Sequence, residues 1–518
     1  MEVMSVVVWC GVAVAVVMMV YGWRFLDWVW LRPKRMEKSL REQGLKGNRY
    51  RFLFGDMKEM VQMGNQAKLK PIKLTDSIIP RVMPFYYTSA NTYYGSMFFT
   101  WMGPLPMVHI TDPPLIREIL ANYNQFQKQK IVNPLSKLLA RGIVVAEADQ
   151  WVKHRKIINP AFHVEKLKHM LPAFYISCSE MINNWEGITK GGSCEVDVYP
   201  HLQTMTSDVI SRTAFGSSYE EGRKIFELQV EQSKLVIESI QSMYIPGSRF
   251  LPTKKNRRMK EIDREVRSTV KKIINKRVTA KERGESTKED LLGLLLDSNE
   301  NEIKQRGNNN FGLSIDEVIE ECKFFYFAGQ ETTANLLAWT MILLSQHMIW
   351  QDRARDEVLK MFGDRKPDID GLNHLKIINM ILHEVLRLYP PGVGIGRTIH
   401  EETKIGNLTL PSGSHVMLHM MLLHYDANIW GDDVNEFNPQ RFAEGVANAT
   451  KEQASYFPFG GGPRICIGQA FATLEARLAL VMILRRFSFD ISPSYSHAPH
   501  TILTLQPQFG AQLILSEL

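Results

Sequence analysis

Apolar and polar positions follow three different patterns along this chain. Val3 to Trp23 is a run of 21 residues without a charge. As a helix it spans roughly 31 Å, about the hydrocarbon thickness of a bilayer. The run is long for the apolar core of a secretory leader and lacks a basic start. It is followed by Trp23, Trp28 and Trp30 rather than a small-residue cleavage site, so it is expected to persist as an anchor. Strand-like segments cluster early and late. Ser96 to Met102 and Met107 to Thr111 flank Gly103-Pro104-Leu105-Pro106, while Thr501 to Leu505 and Ala511 to Leu515 flank Pro507 to Gly510. Between these groups the spacing is that of amphipathic helices. The longest should open at Ser314, with Ser314 and Glu317 forming a capping box, and run to about His347. No internal repeat is present, and the polar stretch Asn299 to Gly312 reads as a loop between helices. The pattern predicts a mainly α fold with small β-sheets at the margin and a single N-terminal transmembrane helix. The expected division is an anchor over 1–23, a basic juxtamembrane linker over 24–51 and one domain over 52–518.

Composition narrows this picture. The chain has 518 residues, 45% apolar and 23% charged, which excludes a disordered or fibrous protein. The net charge is +7, but Arg24 to Arg51 alone holds nine Lys/Arg and three Asp/Glu, leaving only about +1 for the rest. No basic face remains for nucleic acid. Positive charge beside the anchor places Arg24, Arg32, Lys34, Arg35 and all that follows on the cytoplasmic side. Cys10, Cys178, Cys194, Cys322 and Cys466 include no close pair, so neither a disulfide framework nor a zinc ribbon is indicated. That agrees with a reducing compartment. The sequons at Asn407 and Asn448 would not meet the lumenal glycosylation machinery in this orientation.

Candidate chemistry concentrates at Phe459-Gly460-Gly461-Gly462-Pro463-Arg464-Ile465-Cys466-Ile467-Gly468, which delivers one cysteine to the start of an apolar helix over Gln469 to Arg485. Glycines let the backbone approach a flat cofactor, and a helix N-terminus favours a thiolate. A single soft ligand suits haem iron. A phosphate-binding loop is the first competitor, but no Gly-Lys-Ser/Thr follows. The second is an ordinary buried cysteine, the usual reading of a lone one. A second signal is Ala328-Gly329-Gln330-Glu331-Thr332, which sets an acid and a hydroxyl in an apolar helical stretch. Thr332 can bond back to the Ala328 carbonyl and, with Gly329, open the helix into a groove for dioxygen and water; the competing reading is a helix-bending threonine. Glu384 and Arg387 lie one helical turn apart before Pro390, and as a bare spacing would be a surface pair. Trp151 and Arg155 share a helical face. Gly392, Gly394 and Gly396 imitate a dinucleotide loop, but the spacing is wrong and no strand precedes them.

Together these residues resemble the cytochrome P450 haem-thiolate monooxygenases, whose signature Phe-x-x-Gly-x-Arg-x-Cys-x-Gly is matched by Phe459, Gly462, Arg464, Cys466 and Gly468. The resemblance covers essentially the whole chain. It implies haem b (iron protoporphyrin IX) with Cys466 as the axial thiolate, and Trp151, Arg155, Arg397 and Arg464 at its propionates. It also implies Ala328 and Gly329 over the distal face, with Thr332 and Glu331 serving oxygen activation and proton delivery. Glu384, Arg387 and Arg441, from Pro439-Gln440-Arg441-Phe442, would brace the haem loop. Phe324 to Thr333, Gly371 to Lys376 and Trp28 to Arg35 resemble the plant microsomal branch that contains secologanin synthase and oleanane triterpenoid oxidases. Two departures stand out: the usual proline-rich hinge is reduced to Pro33, and Pro391 to Gly396 is rich in glycine, which implies a roomier pocket. The implied activity is oxidation of an apolar terpenoid at the endoplasmic reticulum membrane, using O2 and NADPH-derived electrons from cytochrome P450 reductase. Iridoid, triterpenoid and gibberellin-like substrates all remain open. A hydroperoxide isomerase or dehydratase working without NADPH, and a non-catalytic haem sensor or membrane scaffold, are the alternatives.

Overall fold

The structure is a computed structural model and describes residues 2–93, 95–129, 133–216, 219–242, 244–245, 247–283, 290–308, 311–450 and 455–518. Helix α1 (Glu2–Leu26) carries the apolar run and passes through a π-helical turn over Asp27–Leu31 into α2 (Arg32–Glu42). Among the described residues, Trp9–Glu42 is the one helical stretch long and apolar enough to cross a membrane. The stretch expected as a basic juxtamembrane linker continues the helix as far as Glu42. Pro33 has no N–H for the Val29 carbonyl four residues earlier, but the π-helical turn just before it and an outside donor to that carbonyl let the helix run on. This segment is docked on the body: Val29 is only 1% exposed, and the Tyr50 hydroxyl donates to its carbonyl at 2.5 Å. Gln43 and Thr409 exchange two hydrogen bonds, of 2.8 and 2.6 Å.

The early strands form as the alternation predicts. β1 (Met97–Met102) and β2 (Leu105–Ile110) pair antiparallel around Gly103, whose φ of +59° suits glycine. β3 (Phe126–Lys128), β5 (Ile395–Ile399) and β8 (His415–Leu418) complete a sheet of order β1-β2-β8-β5-β3, and its register sets Lys128 opposite Arg397. A small hairpin, β6 (Thr403–Ile405) with β7 (Leu408–Leu410), carries Thr409. The late strands differ from expectation. Thr501 to Leu505 is not one strand, because the chain reverses at Leu503 (φ +64°) between β10 (Pro499–Ile502) and β11 (Thr504–Pro507). β12 (Gln512–Glu517) leaves that hairpin to pair with β4 (Ser193–Asp197) and β9 (Phe487–Ile491). Alternation identified its buried Leu513 and Leu515 but holds no information about a distant partner.

Helices α3 (Ala148–Ile158), α4 (Val164–Thr189), α5 (Val198–Phe215), α6 (Ile315–Leu344), α7 (Lys376–Leu388) and α8 (Gln469–Arg486) surround the site. One core cluster joins α4 to α8, with Trp185 and Trp339 fully buried in it. α6 is about 45 Å long at 1.5 Å per residue and opens on the expected capping box of Ser314 and Glu317. It stops three residues short of His347, since the amides of Gln346 and His347 both turn back to the Leu343 carbonyl. Much of the stretch expected as a loop from Asn299 is helical, belonging to a helix over Leu291–Arg306. Positions 309–310 of that stretch lie outside the described residues.

Glu384 and Arg387 are not surface residues: both are fully buried. Arg387 pairs with Glu384 through Nε (2.8 Å) and Nη2 (2.7 Å) and donates onward to the carbonyls of His424, Val434 and Glu436. Arg441 joins at 3.4 Å from Glu384 and donates to the Trp430 and Asp433 carbonyls. His424, driven down to about 3 by burial and so neutral, accepts the Phe457 N–H at 3.1 Å. The ion pair is thereby tied to the start of the glycine-rich loop. Glu384→Ala leaves Arg387 buried without its counter-charge and is expected to cost about 3–5 kcal/mol. Chemical denaturation measures it, and a loss below about 1 kcal/mol, the range of an exposed pair, would contradict this role.

Candidate active site

The glycine-rich loop is closed by the Cys466 N–H donating to the Phe459 carbonyl at 2.9 Å. Gly460 (φ +74°) and Gly462 (φ +65°) make the turn. A Cβ on Gly462 would lie 2.2 Å from the Leu120 carbonyl oxygen. Cys466 is exposed, yet what it faces is a cavity of about 440 Å³ inside the body rather than bulk solvent. Burial accordingly pushes its thiol up, opposed by the Gly468 N–H and by Arg155 and Lys128.

Ten of the residues singled out from sequence line this one cavity: Trp151, Arg155, Ala328, Gly329, Thr332, Arg397, Phe459, Arg464, Cys466 and Gly468. Thr332 donates to the Ala328 carbonyl at 2.8 Å, as expected. The helix does not open there: α6 stays α-helical throughout, so the back-bond is made without breaking the ladder. Gly329 serves a close approach, since a Cβ there would fall 2.8 Å from Ile210 on α5. Glu331 is the member that does not line the cavity. Its carboxyl points to the hairpin, where Thr504 donates to it, and burial raises it to about 7.

At the rim, β3, α3, β5 and the loop bring Lys128, Arg155, Arg397 and Arg464 to the same wall. Burial and the neighbouring cations lower Lys128 to about 8 and Arg397 to about 10. Glu147 is the carboxylate among them, accepting from Arg464 Nη2 at 2.8 Å and from the Lys128 backbone at 2.5 Å. The Arg464 guanidinium lies 4.6 Å above the Trp151 ring. Arg155 donates to the Ile465 carbonyl at 2.9 Å. Nε of Arg397 and of Arg464 are buried with no partner among the described residues. Such an excess of buried cations, beside an apolar slot with a sulfur in its wall, fits a flat ligand bearing two carboxylates, as haem b does. Sequence reading missed Lys128 and Glu147, because a lone lysine and glutamate acquire meaning only from the β3–β5 register and the Arg464 contact.

The glycine run after Pro391 is not simply spacious. A Cβ at Gly394 would meet the Leu418 carbonyl at 3.0 Å and one at Gly396 the Gln129 side chain at 2.1 Å, so these two permit close packing. Gly392 alone would meet nothing within 4 Å.

A mainly helical body with a cysteine loop beneath a long crossing helix defines a haem-thiolate protein, and comparison with known sequences agrees. The family model for cytochrome P450 matches residues 77–513. The chain is 62% identical over 505 residues to cytochrome P450 CYP72A219 of Panax ginseng, covering 97% of each. It is 54% identical to secologanin synthase 1 and 54% identical to 7-deoxyloganic acid hydroxylase, both of Catharanthus roseus, covering 96% of every chain compared. This chain belongs to the cytochrome P450 family, oxidoreductases of the monooxygenase class that bind haem b through a cysteine thiolate and draw on O2 and a redox partner.

Gly462→Ala forces a side chain into left-handed backbone and against Leu120, at a cost of at least about 1 kcal/mol from the backbone alone. The expected result is a smaller haem-loaded fraction of purified protein, measured as the ratio of haem to protein absorbance.

Proposed function

We propose that this chain is a membrane-anchored monooxygenase that hydroxylates or further oxidises an apolar terpenoid, with electrons passed from NADPH by cytochrome P450 reductase. Its seat is the endoplasmic reticulum membrane, with Arg24, Arg32, Lys34, Arg35 and the body on the cytoplasmic side. The observation that carries this reading is the cavity itself, which has Cys466 in one wall, Thr332 on α6 and a surplus of cations at the rim. Two relatives whose names refer to secologanin and 7-deoxyloganic acid support the terpenoid class.

In this reading Cys466 is the iron ligand. Thiolate-ligated haem supplies oxygen activation, since electron density pushed onto the iron favours O–O cleavage. Arg155, Arg397, Arg464 and Lys128 hold the two carboxylates, with Trp151 supporting Arg464 from below. Phe459, Gly468, Ala328 and Gly329 form the walls that admit a flat ring system and keep water out. Thr332 has given its proton to Ala328, so toward the cavity its oxygen is an acceptor that orients whatever donates to it. Glu331 stores the proton: with its carboxyl raised to about 7, it keeps that proton below pH 7 and loses it as the pH rises through 7. Placement of the substrate carbon in the cavity then decides the product.

Cys466→Ala should abolish the thiolate-type Soret band in the carbon monoxide difference spectrum of reduced microsomes; an unchanged band would remove Cys466 as the ligand. Thr332→Ala should keep that band while diverting electrons to peroxide, measured as product formed per NADPH consumed. Product per NADPH in the parent should fall as pH rises through about 7, whereas Glu331→Gln should be uncoupled and flat across the same range. Turnover of a hydroperoxide with neither NADPH nor reductase would return the isomerase reading.

A further inference from the structure

Glu331 stands apart from the cavity, and its neighbours account for this. Thr504, the first residue after the hairpin reversal at Leu503, donates its hydroxyl proton to Glu331 Oε1. Thr504 Oγ1 accepts from Asn335 Nδ2 at 2.9 Å, one turn further along α6. Asn335 Oδ1 in turn accepts from the Tyr199 hydroxyl of α5 at 2.8 Å. Tyr199 also contacts the Gln506 side chain on β11 at 2.9 Å. From Asn335 to Glu331 both protons in this series point the same way, whereas the single Tyr199 proton is shared between Asn335 Oδ1 and Gln506 Oε1. A hydroxyl has one proton to give, and with Asn335 donating to its oxygen, Thr504 is committed to the carboxyl. An amide in the middle of the series does not hand protons along, so it acts as a fixed set of dipoles rather than a route to solvent.

Among the described residues no charged side chain pairs with Glu331, and His500 on β10 is lowered to about 4 by burial and so neutral. On α5 the titratable neighbours are Tyr199 and, at that helix's N-cap, Asp197. Glu475 on α8 faces Thr333 instead, Glu384 and Arg387 on α7 close on each other, and β11 carries no titratable side chain. Among the described residues, Thr504 is the one side chain that hydrogen-bonds the Glu331 carboxyl.

We propose that Thr504 is a positioning residue that parks the Glu331 carboxyl on the β10–β11 hairpin, so that delivering its proton requires exchanging Thr504 for the Thr332 side of α6. The proposal rests on the reading of Glu331 as the stored proton. Thr504 thereby sets two properties of the acid: where it waits and how readily it ionises. A donor to the charged form holds the acid's ionisation down against burial, and removing that donor lets it rise.

Infrared difference spectroscopy through a pH titration of the full-length haem-loaded protein tests this. The protonated Glu331 carboxyl is the band missing from Glu331→Gln. In Thr504→Val its midpoint should rise by about one unit, the effect of losing one hydrogen bond to the charged form. In Thr504→Ser, which keeps the hydroxyl, it should stay at the parental value, and the pH limb of product per NADPH should follow the band in both variants. If Thr504→Val does not accumulate, Asn335→Leu serves in its place: it frees the Thr504 hydroxyl to turn away, so the midpoint should again rise. An unmoved midpoint in a variant with a normal reduced carbon monoxide spectrum overturns the proposal while leaving Glu331 as the acid. Parental product per NADPH in Glu331→Gln overturns the acid reading, and the proposal with it.

Discussion

A guanidinium with no access to water must find an acceptor for each of its five N–H groups, and the body is arranged around one that does. Arg387 spends two on Glu384 and three on carbonyls of the irregular chain between His424 and Glu436. That stretch has little regular structure to hold it, so its path is fixed largely by where those carbonyls must point. Arg441 adds two more carbonyls from the same stretch, and neutral His424 carries the constraint to Phe457. The position of Cys466 is inherited from a buried charge two segments away.

The cavity rim shows the opposite arrangement, in which electrostatic demand is left unmet by the protein. β3 and β5 are held in register by their own ladder, and that register forces Lys128 and Arg397 together. Arg464 arrives with the loop, and one carboxylate, Glu147, answers all of them. Like charges in a low-dielectric wall raise the energy of the ligand-free state and are relieved by an anion, so the fold and its cofactor are energetically coupled.

Much of this was legible in the sequence, and what was not has identifiable physical causes. Local rules sufficed for the capping box at Ser314, the Thr332 back-bond and the β1–β2 turn, because each involves residues a few positions apart. The loop signature supplied four of the ten cavity residues, Phe459, Arg464, Cys466 and Gly468, and the other six came from Ala328 to Thr332, from Trp151 with Arg155, and from Arg397. Reading failed where the deciding partner is remote. Thr501 to Leu505 has the composition of a strand, yet Leu503 reverses it, and β12 pairs with β4 and β9 rather than its chain neighbour. Lys128 and Thr504 gave no signal for the same reason. Glu331 stands out of place in an apolar helix, but the direction its carboxyl takes is set by Thr504, 173 residues downstream.

The continuous run from α1 through the π-turn into α2 has a consequence for how the chain is divided. Val29, Met36 and Leu40 are buried, and Gln43 is clasped to Thr409, so the body's surface begins at the π-turn rather than after the basic stretch. A truncation made before Asp27 preserves this seam; one made after Glu42 strips apolar side chains from a packed cluster and bares the surface beneath. The helix that leaves the body also leaves at a set angle. Because α1 runs into α2 without a break, the direction of α1 and the pose of the body vary together.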